Sequence, residues 1–296
     1  MDQIKVLVTG ANGFIGAYLM PFLQSTYQVL GLQRKGEDRI GYKQVDYTNQ
    51  SEINSIFESF QPRVVIHLAS NTSRTRSMSE LPQFLDSNVK LTNTILLAGS
   101  TLSKPPKYIF LSSAEVYGPQ SGSLSEDAPL NPASPYGISK VYSEELFAFY
   151  HRNHGISAHI LRLFNAYGVG QSDGFFFADI LDAFKTKREF QMTRGEQKRD
   201  FIYIGDVVRA IEMFIHRPDI LEYVNLSSGN TLSLNAITAL FNEKVNGSLT
   251  VNQCLPYRTN ELWEVSGNNT RLISLGFNLN FTLDMGLNAM LGNEKI

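Results

Sequence analysis

The chain has 296 residues, 43% of them hydrophobic, and its 26 Lys and Arg against 28 Asp and Glu give a net charge of −2. This length and apolar content suit one large α/β domain, or a main domain carrying a smaller one. The near-zero charge excludes a protein that coats nucleic acid or an anionic membrane, because both need a concentrated positive field. The single cysteine, Cys254, excludes an internal disulfide framework and a cysteine-rich metal site.

The start of the chain and its apolar runs predict the cellular location of the protein. Met1–Gln3 does not resemble a secretory signal, and no run approaches the roughly 20 apolar residues of a membrane helix. The histidines His151, His154 and His159 have no acidic neighbours that would complete a ligand set. We therefore expect a cytoplasmic protein with no metal site and with neither membrane nor nucleic acid as a partner.

The first half of the chain alternates short β-branched runs with helical apolar spacing. Strands are predicted over Ile4–Thr9, Tyr27–Leu32, Val64–Leu68, Tyr108–Ser112 and Ala158–Leu163. Helices are predicted over Phe14–Ser25, Gln50–Phe60, Leu85–Ser100 and Ser139–His151. This alternation predicts right-handed crossovers and a doubly wound parallel sheet with helices on both faces.

The pattern loosens after about residue 166. The remaining elements are a helix near Phe176–Lys187, a strand over Asp200–Ile204, a helix over Asp206–His216, a strand over Tyr223–Leu226, a helix near Leu234–Glu243 and turns from Pro256 onward. We predict a dinucleotide-binding domain over residues 1–166, with a returning segment near 200–226. A smaller α/β substrate domain over 167–296 is partly interleaved with it.

A glycine-rich loop connects the first predicted strand to the first predicted helix. Gly10 permits a tight turn, Gly13 lets the backbone approach a pyrophosphate, and Gly16 lets the helix pack against the strand. The helix N-terminus then offers free N–H groups and a positive dipole end to the phosphates. This arrangement is typical of a Rossmann-type dinucleotide site, whose candidate loop residues are Gly10, Asn12, Gly13, Phe14, Ile15 and Gly16. The alternative is a purely structural glycine turn.

The residues that close the second strand indicate which dinucleotide is bound. NAD sites usually place Asp or Glu here to hold the ribose 2′-hydroxyl, but this chain has Gln33, Arg34 and Lys35. A carboxylate would repel a 2′-phosphate, whereas Arg34 can pair with one and stack on adenine. NADP(H) is therefore favoured, with NAD(H) still open, and the alternative is that both cations are only solvated loop charges.

Tyr136 and Lys140 lie four residues apart, which places them on one face of a helix. A fixed ammonium beside a phenol favours the phenolate and brings its pKa down towards working pH. Ser113 follows the strand over Tyr108–Ser112 at its C-terminal end, where doubly wound sheets place ligands. Ser113, Tyr136 and Lys140 are therefore the candidate catalytic group.

With these motifs in place, the chain resembles the extended short-chain dehydrogenase/reductase family, in its nucleotide-sugar epimerase/dehydratase branch. The matching text is Val8–Gly16, Val65–Ala69, Ser112–Gly118, Ser134–Lys140, Arg162–Gly168, Arg199–Val208, Arg258–Glu261 and Leu275–Phe277. The matches keep their order and spacing over nearly the whole chain.

The resemblance implies further site residues. It implies that Asp46 and Tyr47 flank adenine, and that Asn88 supports the site from its helix. It also implies cofactor contacts from Leu68, Ala69, Ser70 and Phe164 besides Tyr136 and Lys140, and substrate contacts from Ser113, Ala114, Glu115, Asn165, Arg199, Arg258 and Glu261. An Arg pair suits a diphosphate through charge-assisted bonds. For Asn165 and Arg199 the alternative is a structural role in pinning loops.

Departures from the family pattern favour one activity. The 4,6-dehydratases of the family place Thr-Asp-Glu where this chain has Ser113, Ala114 and Glu115, and Ala114 cannot protonate a departing hydroxyl. Glu115 either touches the substrate or caps the local loop. The family's 4-epimerases usually retain tightly held NAD, whereas Arg34 and Lys35 fit a cofactor that arrives reduced and departs.

We therefore expect an NADPH-dependent reductase of a nucleotide-linked 4-keto-6-deoxy sugar, serving nucleotide-sugar and cell-surface polysaccharide biosynthesis. The alternatives are a nucleotide-hexose 4-epimerase with bound NAD, a 4,6-dehydratase and a non-catalytic dinucleotide sensor. The expected partner is a nucleotide-diphosphate sugar. The resemblance further implies a homodimer, formed by pairing the helices over Leu85–Ser100 and Ser139–His151.

Overall fold

A computed structural model describes residues 3–73, 75–257 and 261–292. The chain divides into two compact units. The first unit comprises Met1–Pro119, Asp127–Leu163 and Val208–Val224, and the second unit comprises Gln120–Glu126, Phe164–Val207 and Asn225–Ile296. The chain therefore leaves and re-enters each unit.

The elements follow one another in a largely alternating order. The strands are β1 (Lys5–Thr9), β2 (Gln28–Gln33), β3 (Tyr42–Gln44), β4 (Val64–His67), β5 (Lys107–Ser113), β6 (Gly122–Leu124), β7 (Ala158–Leu163), β8 (Asn165–Tyr167), β9 (Phe190–Gln191), β10 (Lys198–Tyr203), β11 (Leu221–Leu226), β12 (Thr231–Ser233), β13 (Val251–Asn252) and β14 (Glu264–Gly267). The helices are α1 (Phe14–Gln24), α2 (Gln50–Phe60), α3 (Leu81–Phe84), α4 (Leu91–Ser100), α5 (Pro135–His154), α6 (Phe176–Thr186), α7 (Ile204–Ile215), α8 (Leu234–Lys244), α9 (Thr270–Ser274) and α10 (Leu283–Met290). A π-helical segment, Leu85–Lys90, joins α3 to α4, and 3₁₀ turns cover Met78–Glu80 and Ala114–Val116.

The first unit is built on a seven-stranded parallel sheet in the order β11-β7-β5-β4-β1-β2-β3. Strand order reverses direction at β1, since the chain runs outward to β2 and β3 and then returns to β4 on the other side. Sheets of this kind bind ligands at the carboxyl ends of the strands beside such a switch point. The predicted doubly wound parallel sheet is confirmed, and the switch point lies between β1 and β4.

Alternating side chains along each strand pack against helices on both faces of this sheet. Leu7, Tyr108 and Phe110 lie in one buried cluster with apolar residues of α2, α4 and α5. On the other face, His159 of β7 packs on Phe214 of α7 with ring centroids 4.9 Å apart. Because both faces are covered, the strands are apolar along nearly their whole length.

The second unit contains a smaller mixed sheet in the order β12-β10-β14-β6, with β8 also paired to β10. The β10–β12 pair is antiparallel, and β10 pairs in parallel with β8 and β14. A further pair, β9 and β13, is parallel. Among the described residues, no helix is long and apolar enough to cross a bilayer. Within the same residues, no group of three or more His, Cys, Asp and Glu side chains could hold a metal ion.

The structure departs from the predicted elements in several places, and three of them involve helices or the C-terminal part of the chain. Helix α5 begins at Pro135 instead of Ser139, because Ser134 caps it and proline suits the first helical position. The helix expected over Leu85–Ser100 already begins at Leu81 and passes through the π-helical segment. The text after Pro256, expected to be turns, contains β14, α9 and α10, which are too short for a clear periodic signal.

Candidate catalytic and cofactor-binding site

The glycine loop begins directly after β1, at the switch point of the sheet. Gly10 has φ +71°, which favours glycine, and a Cβ atom there would lie 2.8 Å from the backbone nitrogen of Ala69. A Cβ atom on Gly16 would overlap the carbonyl oxygen of Gly10. The loop, α1 and the residues after β4 therefore approach one another so closely that alanine fits at neither position.

The N-terminus of α1 is open in the way that an anion site requires. Gly13 is the N-cap residue and supplies no side-chain hydrogen bond, and the first turn of α1, which contains Phe14 and Ile15, has no acidic residue. The first amide groups of a helix have no intrahelical acceptor, and they carry the positive end of the helix dipole. The residues present thus fit the pyrophosphate of a dinucleotide.

Tyr47 fixes this loop from the side of β2. Its hydroxyl accepts a hydrogen bond from the Gly10 amide at 3.3 Å and donates one to the Leu32 carbonyl at 3.0 Å. The side chain is buried, and burial raises the pKa of its phenol. Asp46, by contrast, is exposed, and its carboxylate accepts two hydrogen bonds from Thr48, which hold its pKa below the usual value.

The end of β2 carries the cations expected to select the dinucleotide. Gln33 is buried and donates its side-chain amide to the Glu37 carbonyl at 2.9 Å. Arg34 and Lys35 are exposed, and neither forms an ion pair within the part of the chain that the structure describes. Asn12 of the glycine loop donates to the Lys35 carbonyl at 2.8 Å, so the loop and the two cations are adjacent.

The end of β4 is tied to β1 through a buried histidine. His67 is bonded to the Thr9 hydroxyl at 2.7 Å and to the Thr92 hydroxyl at 3.1 Å. Burial, together with the charge of Lys140, lowers the pKa of His67 to about 3, so the imidazole is neutral near pH 7. The Thr9 hydroxyl also accepts from the Ala69 amide at 3.1 Å. These bonds fix the backbone that leads into Leu68, Ala69 and Ser70 beside the glycine loop.

Asn88 lies in the π-helical segment and is buried. Its side-chain oxygen accepts from the Asn71 amide at 2.7 Å, and its side-chain nitrogen donates to the Asn71 carbonyl at 3.1 Å and to the Ser139 hydroxyl at 2.9 Å. Asn88 thereby links the chain beyond β4 to the helix that carries Tyr136 and Lys140. The supporting role implied for Asn88 stays a prediction.

The structure brings Ser113, Tyr136 and Lys140 together in the first unit. Tyr136 and Lys140 lie one turn apart in α5, and the Tyr136 hydroxyl is hydrogen bonded to Ser113 at the end of β5. The Lys140 ammonium is buried, donates to the Leu111 carbonyl at 2.8 Å and lies 5.7 Å from the centre of the Tyr136 ring. The Ser113 hydroxyl, the Tyr136 phenol and the Lys140 ammonium thus lie in one cluster.

The charge state of this group differs from the expectation for Tyr136. Burial of the hydroxyl raises its pKa, with the Ser113 hydrogen bond opposing the effect, so the expected lowering by Lys140 does not prevail. Burial also lowers the pKa of Lys140 to about 7, against the opposing charge of Glu144. A half-charged ammonium cannot overcome the desolvation of the phenol, which is therefore protonated at neutral pH.

Glu115 is directed at the start of α5. Its carboxylate accepts from the Ser134 hydroxyl at 2.9 Å, and the same hydroxyl caps the helix by accepting from the Gly137 amide at 3.0 Å. Arg76 lies 3.9 Å from the other carboxylate oxygen. Of the two roles left open for Glu115, these contacts correspond to loop capping. Ala114 opens the 3₁₀ turn between Ser113 and Glu115.

The residues of the second unit that are expected to bind substrate already have hydrogen-bond or ion-pair partners. The Arg199 guanidinium pairs with Glu261 and donates to the Leu262 carbonyl at 2.6 Å. Asn165 donates to the Asp200 carbonyl at 2.8 Å, which pins β8 to β10. Phe164 is buried in the same unit. Arg258 lies outside the described residues.

Several charged residues that the structure buries were not anticipated from the sequence, among them Glu144, Arg162 and Asp200. Glu144 and Arg162 form an ion pair at 2.8 Å in the first unit. Asp200 is completely buried in the second unit and accepts from Ser228, Gly229 and the Gly267 amide. The spacing Lys140-x-x-x-Glu144 was visible in the sequence, but a charged pair on a helix usually indicates a solvated face.

Comparison with known proteins agrees with this geometry. Residues 6–226 match the family model described as the NAD dependent epimerase/dehydratase family. A dTDP-glucose 4,6-dehydratase of Haemophilus influenzae is 29% identical over 260 residues, which cover 79% of this chain and 77% of that protein. A UDP-glucuronate 4-epimerase of Thermodesulfobacterium geofontis is 30% identical over 252 residues, covering 78% and 77%.

A solved structure shares the whole fold. The UDP-glucuronic acid 4-epimerase of Bacillus cereus, in complex with UDP-glucuronic acid and NAD, superposes with a TM-score of 0.87 at 27% identity, covering 98% of both chains. The fold, the glycine loop and the family match together show that the chain belongs to the NAD-dependent epimerase/dehydratase family, whose members act on nucleotide sugars.

Proposed function

We propose that this chain is an NADPH-dependent reductase that delivers hydride to C4 of a nucleotide-linked 4-keto-6-deoxy sugar. The observation that carries the proposal is the end of β2, where Arg34 and Lys35 replace the usual acidic residue beside the glycine loop. Two exposed cations without ion-pair partners among the described residues suit a 2′-phosphate, which a carboxylate would repel.

The charge states of the catalytic group suit a reduction. Bound NADPH supplies the hydride, and reduction of a ketone leaves an alkoxide oxygen that needs a proton. Tyr136 is protonated at neutral pH because its hydroxyl is buried, so it is ready to donate that proton. Ser113, hydrogen bonded to Tyr136, holds the same oxygen in place. Lys140 carries the charge that stabilises the phenolate left behind.

The turn after β5 argues against dehydration. A 4,6-dehydration needs an acid for the departing hydroxyl and a base for the C5 proton. Ala114 has no proton to give, and the Glu115 carboxylate is bonded to the helix cap at Ser134. The chain therefore retains the hydride-transfer group without the acid that elimination requires.

For the second unit we propose the substrate role. Arg199, Asn165 and Glu261 offer a guanidinium, an amide and a carboxylate, which suit a diphosphate, a sugar hydroxyl and a ribose hydroxyl respectively. Arg199 is already paired with Glu261, so its full charge becomes available to a diphosphate only if that pair opens or shares its bonds. Arg258 belongs to the same proposed set.

A second candidate is a nucleotide-hexose 4-epimerase with resident NAD. The observation that favours it is the fold match to the Bacillus cereus 4-epimerase in complex with NAD. An epimerase takes hydride from C4 and returns it, so it needs no net reductant. Tyr136 would then act first as a base and afterwards as an acid.

The two candidates separate in one set of assays. The purified protein is denatured, its released nucleotide is identified by chromatography, and fresh protein is given dTDP-, UDP- and GDP-linked 4-keto-6-deoxy sugars and hexoses, with and without NADPH. The reductase proposal expects stoichiometric NADPH oxidation with a keto sugar and little retained NAD. Conversion of a hexose without added NADPH overturns it in favour of the epimerase. Binding of NADPH without turnover of any sugar indicates a sensor.

A further inference from the structure

The carboxylate of Glu144 is buried beside the catalytic group and has all of its bonds within the first unit. Glu144 is 1% exposed. One oxygen accepts from the Ser112 hydroxyl at 2.5 Å and from the Arg162 Nε at 3.2 Å, and the other accepts from the Arg162 Nη2 at 2.8 Å. A buried carboxylate with this bidentate partner is held in one geometry.

Arg162 is enclosed as well. It is 4% exposed and donates to the Tyr117 hydroxyl at 3.2 Å. Its guanidinium carbon lies 5.1 Å from the Tyr117 ring centre and 5.0 Å from that of Tyr223. Bonds and charge from Glu144 hold the pKa of Arg162 above its usual value despite the opposing effect of burial. The cation is therefore permanent.

Lys140 and Glu144 lie on one face of α5 and form hydrogen bonds to consecutive residues of β5. Lys140 donates to the Leu111 carbonyl at 2.8 Å, and Glu144, one turn later, accepts from the Ser112 hydroxyl. Ser113 follows immediately. We propose that Glu144 and Arg162 are positioning residues that lock Lys140 onto β5 and set how readily it holds its proton. This inference rests on the proposed role of Lys140 beside Tyr136.

Glu144 and Arg162 are expected to shift the pKa of Lys140 in opposite directions. Burial lowers the pKa of Lys140 to about 7, and the Glu144 carboxylate opposes that fall. The Arg162 guanidinium is a like charge for Lys140, and it also neutralises part of Glu144. Removal of the Glu144 carboxylate should therefore lower the pKa of Lys140, and removal of the Arg162 guanidinium should raise it. Tyr136 and Glu144 of α5 and His67 of β4 are the titratable groups that interact with Lys140. Arg162 of β7 pairs with Glu144, and the rings of Tyr117 and Tyr223 pack on its guanidinium.

The test is a direct titration of Lys140. Protein labelled with ¹³C and ¹⁵N in lysine is titrated by NMR, and the Lys140 resonance is assigned by its loss in Lys140→Arg. We expect the midpoint to fall by about 1 pH unit in Glu144→Gln and to rise by about 1 pH unit in Arg162→Gln. The control is Glu145→Gln, which removes an exposed carboxylate from the same helix and leaves the midpoint unchanged.

Unpaired buried charges can unfold a protein, so conservative variants accompany these substitutions. Glu144→Asp moves the carboxylate away from Lys140, and Arg162→Lys breaks the bidentate bond to Glu144. Each is expected to shift the Lys140 midpoint in the same direction as the Gln variant at its position, by a smaller amount. Midpoints that do not move, or that move in the same direction for both residues, overturn the proposal. A purely structural pair lowers stability without opposite shifts.

The test stays separate from the proposed reaction because it follows Lys140 and needs no substrate. If the midpoints shift as expected but the alkaline limb of NADPH-dependent turnover does not follow them, the network stands and the proposed role of Lys140 is wrong. If the reductase assay fails altogether, the NMR midpoints still decide the inference.

Discussion

The Tyr136 hydroxyl and the Lys140 ammonium are both desolvated by burial, which shifts their pKa values in opposite directions. It disfavours whichever form is charged, so it keeps the phenol protonated and brings the ammonium close to losing its proton at pH 7. A protonated donor beside an ammonium that can gain or lose charge is well matched to reduction of a ketone. The charge states of Tyr136 and Lys140 therefore depend on their burial, which their four-residue spacing does not reveal.

Replacement of Tyr136 by Phe removes the proton donor while keeping the ring that packs on Phe84. We expect turnover of the keto sugar to fall by about 10²- to 10⁴-fold, the usual contribution of a general acid. NADPH oxidation followed by absorbance measures this. The matched control is Tyr142→Phe on the exposed side of the same helix, and a Tyr136→Phe enzyme as active as this control would show that another group supplies the proton.

The proposed preference for NADPH over NADH depends on Arg34 and Lys35. Replacing both by Ala removes charge-assisted bonds worth about 1.5–3 kcal/mol, so the KM for NADPH is expected to rise by about 10- to 100-fold while that for NADH changes little. Steady-state kinetics with both cofactors measure the ratio. Lys104→Ala, which removes another exposed cation of the first unit, serves as the control. Equal use of NADH and NADPH by the unaltered protein would contradict the preference.

His67 predicts how stability depends on acid. Its pKa is about 3 in the folded protein and near 6.5 in the unfolded chain, so below pH 6.5 only the unfolded chain takes up the proton. The unfolding free energy therefore falls with decreasing pH, by about 2 kcal/mol between pH 6.5 and 4.5 from this group. Urea unfolding of His67→Gln should show a correspondingly smaller fall, whereas exposed His154→Gln should keep the original one. Equal slopes in all three proteins would exclude the effect.

At the scale of elements, apolar runs and helical spacing predicted six of the seven strands of the parallel sheet, all but β3, and the long helices. The helix over Gln50–Phe60 was predicted with both of its ends, since Asn49 caps the first turn. Elements of two to five residues, such as β6, β9 and α9, carry too few side chains for a period to be visible. Their positions depend on pairing with distant strands.

The contact between the glycine loop and α1 predicts that a Gly-to-Ala change in this helix lowers the stability of the protein instead of raising it. A Gly-to-Ala change inside a helix normally stabilises it by about 1 kcal/mol. At Gly16 the added methyl group meets the Gly10 carbonyl, so we expect Gly16→Ala to destabilise the protein by about 1–3 kcal/mol. Thermal and urea unfolding measure the change.

Gly13 supplies the comparison within the same loop. A Cβ atom there would lie 3.3 Å from the Gly10 carbonyl oxygen, its nearest neighbour, so Gly13→Ala should cost less than Gly16→Ala. If Gly16→Ala is as stable as the unaltered protein, the loop can open and the close approach is not required for folding.

Across the whole molecule, some residues are brought together by local sequence patterns and others only by tertiary contacts. Ser113, Tyr136 and Lys140 were predicted because one strand end and one helical turn bring them together. Glu144 and Arg162 were not, because their pairing depends on α5 crossing β7, a tertiary contact with no short-range signal. Tyr47 was expected near the cofactor, but its bond to Gly10 joins residues 37 apart.

Subunit association is a further prediction at this scale. Leu97 of α4 and Tyr142 and Phe149 of α5 are 38%, 46% and 48% exposed. Exposed apolar side chains on these helices favour association, so we expect a homodimer of about twice 33.2 kDa. Sedimentation equilibrium measures the mass. Leu97→Asp with Phe149→Asp should give monomers, Phe22→Asp on α1 should not, and a monomeric unaltered protein would refute the interface.

The π-helical segment between α3 and α4 has a consequence for how this chain can change. A π turn holds one residue more than the α turn it replaces, and it is the weaker hydrogen-bonded form. Removing Val89 or Lys90 would restore a regular helix, but it would rotate Asn88 and everything before it by about 100° relative to Thr92 and the rest of α4. Asn88 could then no longer reach both Asn71 and Ser139. The extra residue of the π turn is therefore what lets one amide side chain tie the chain beyond β4 to α5.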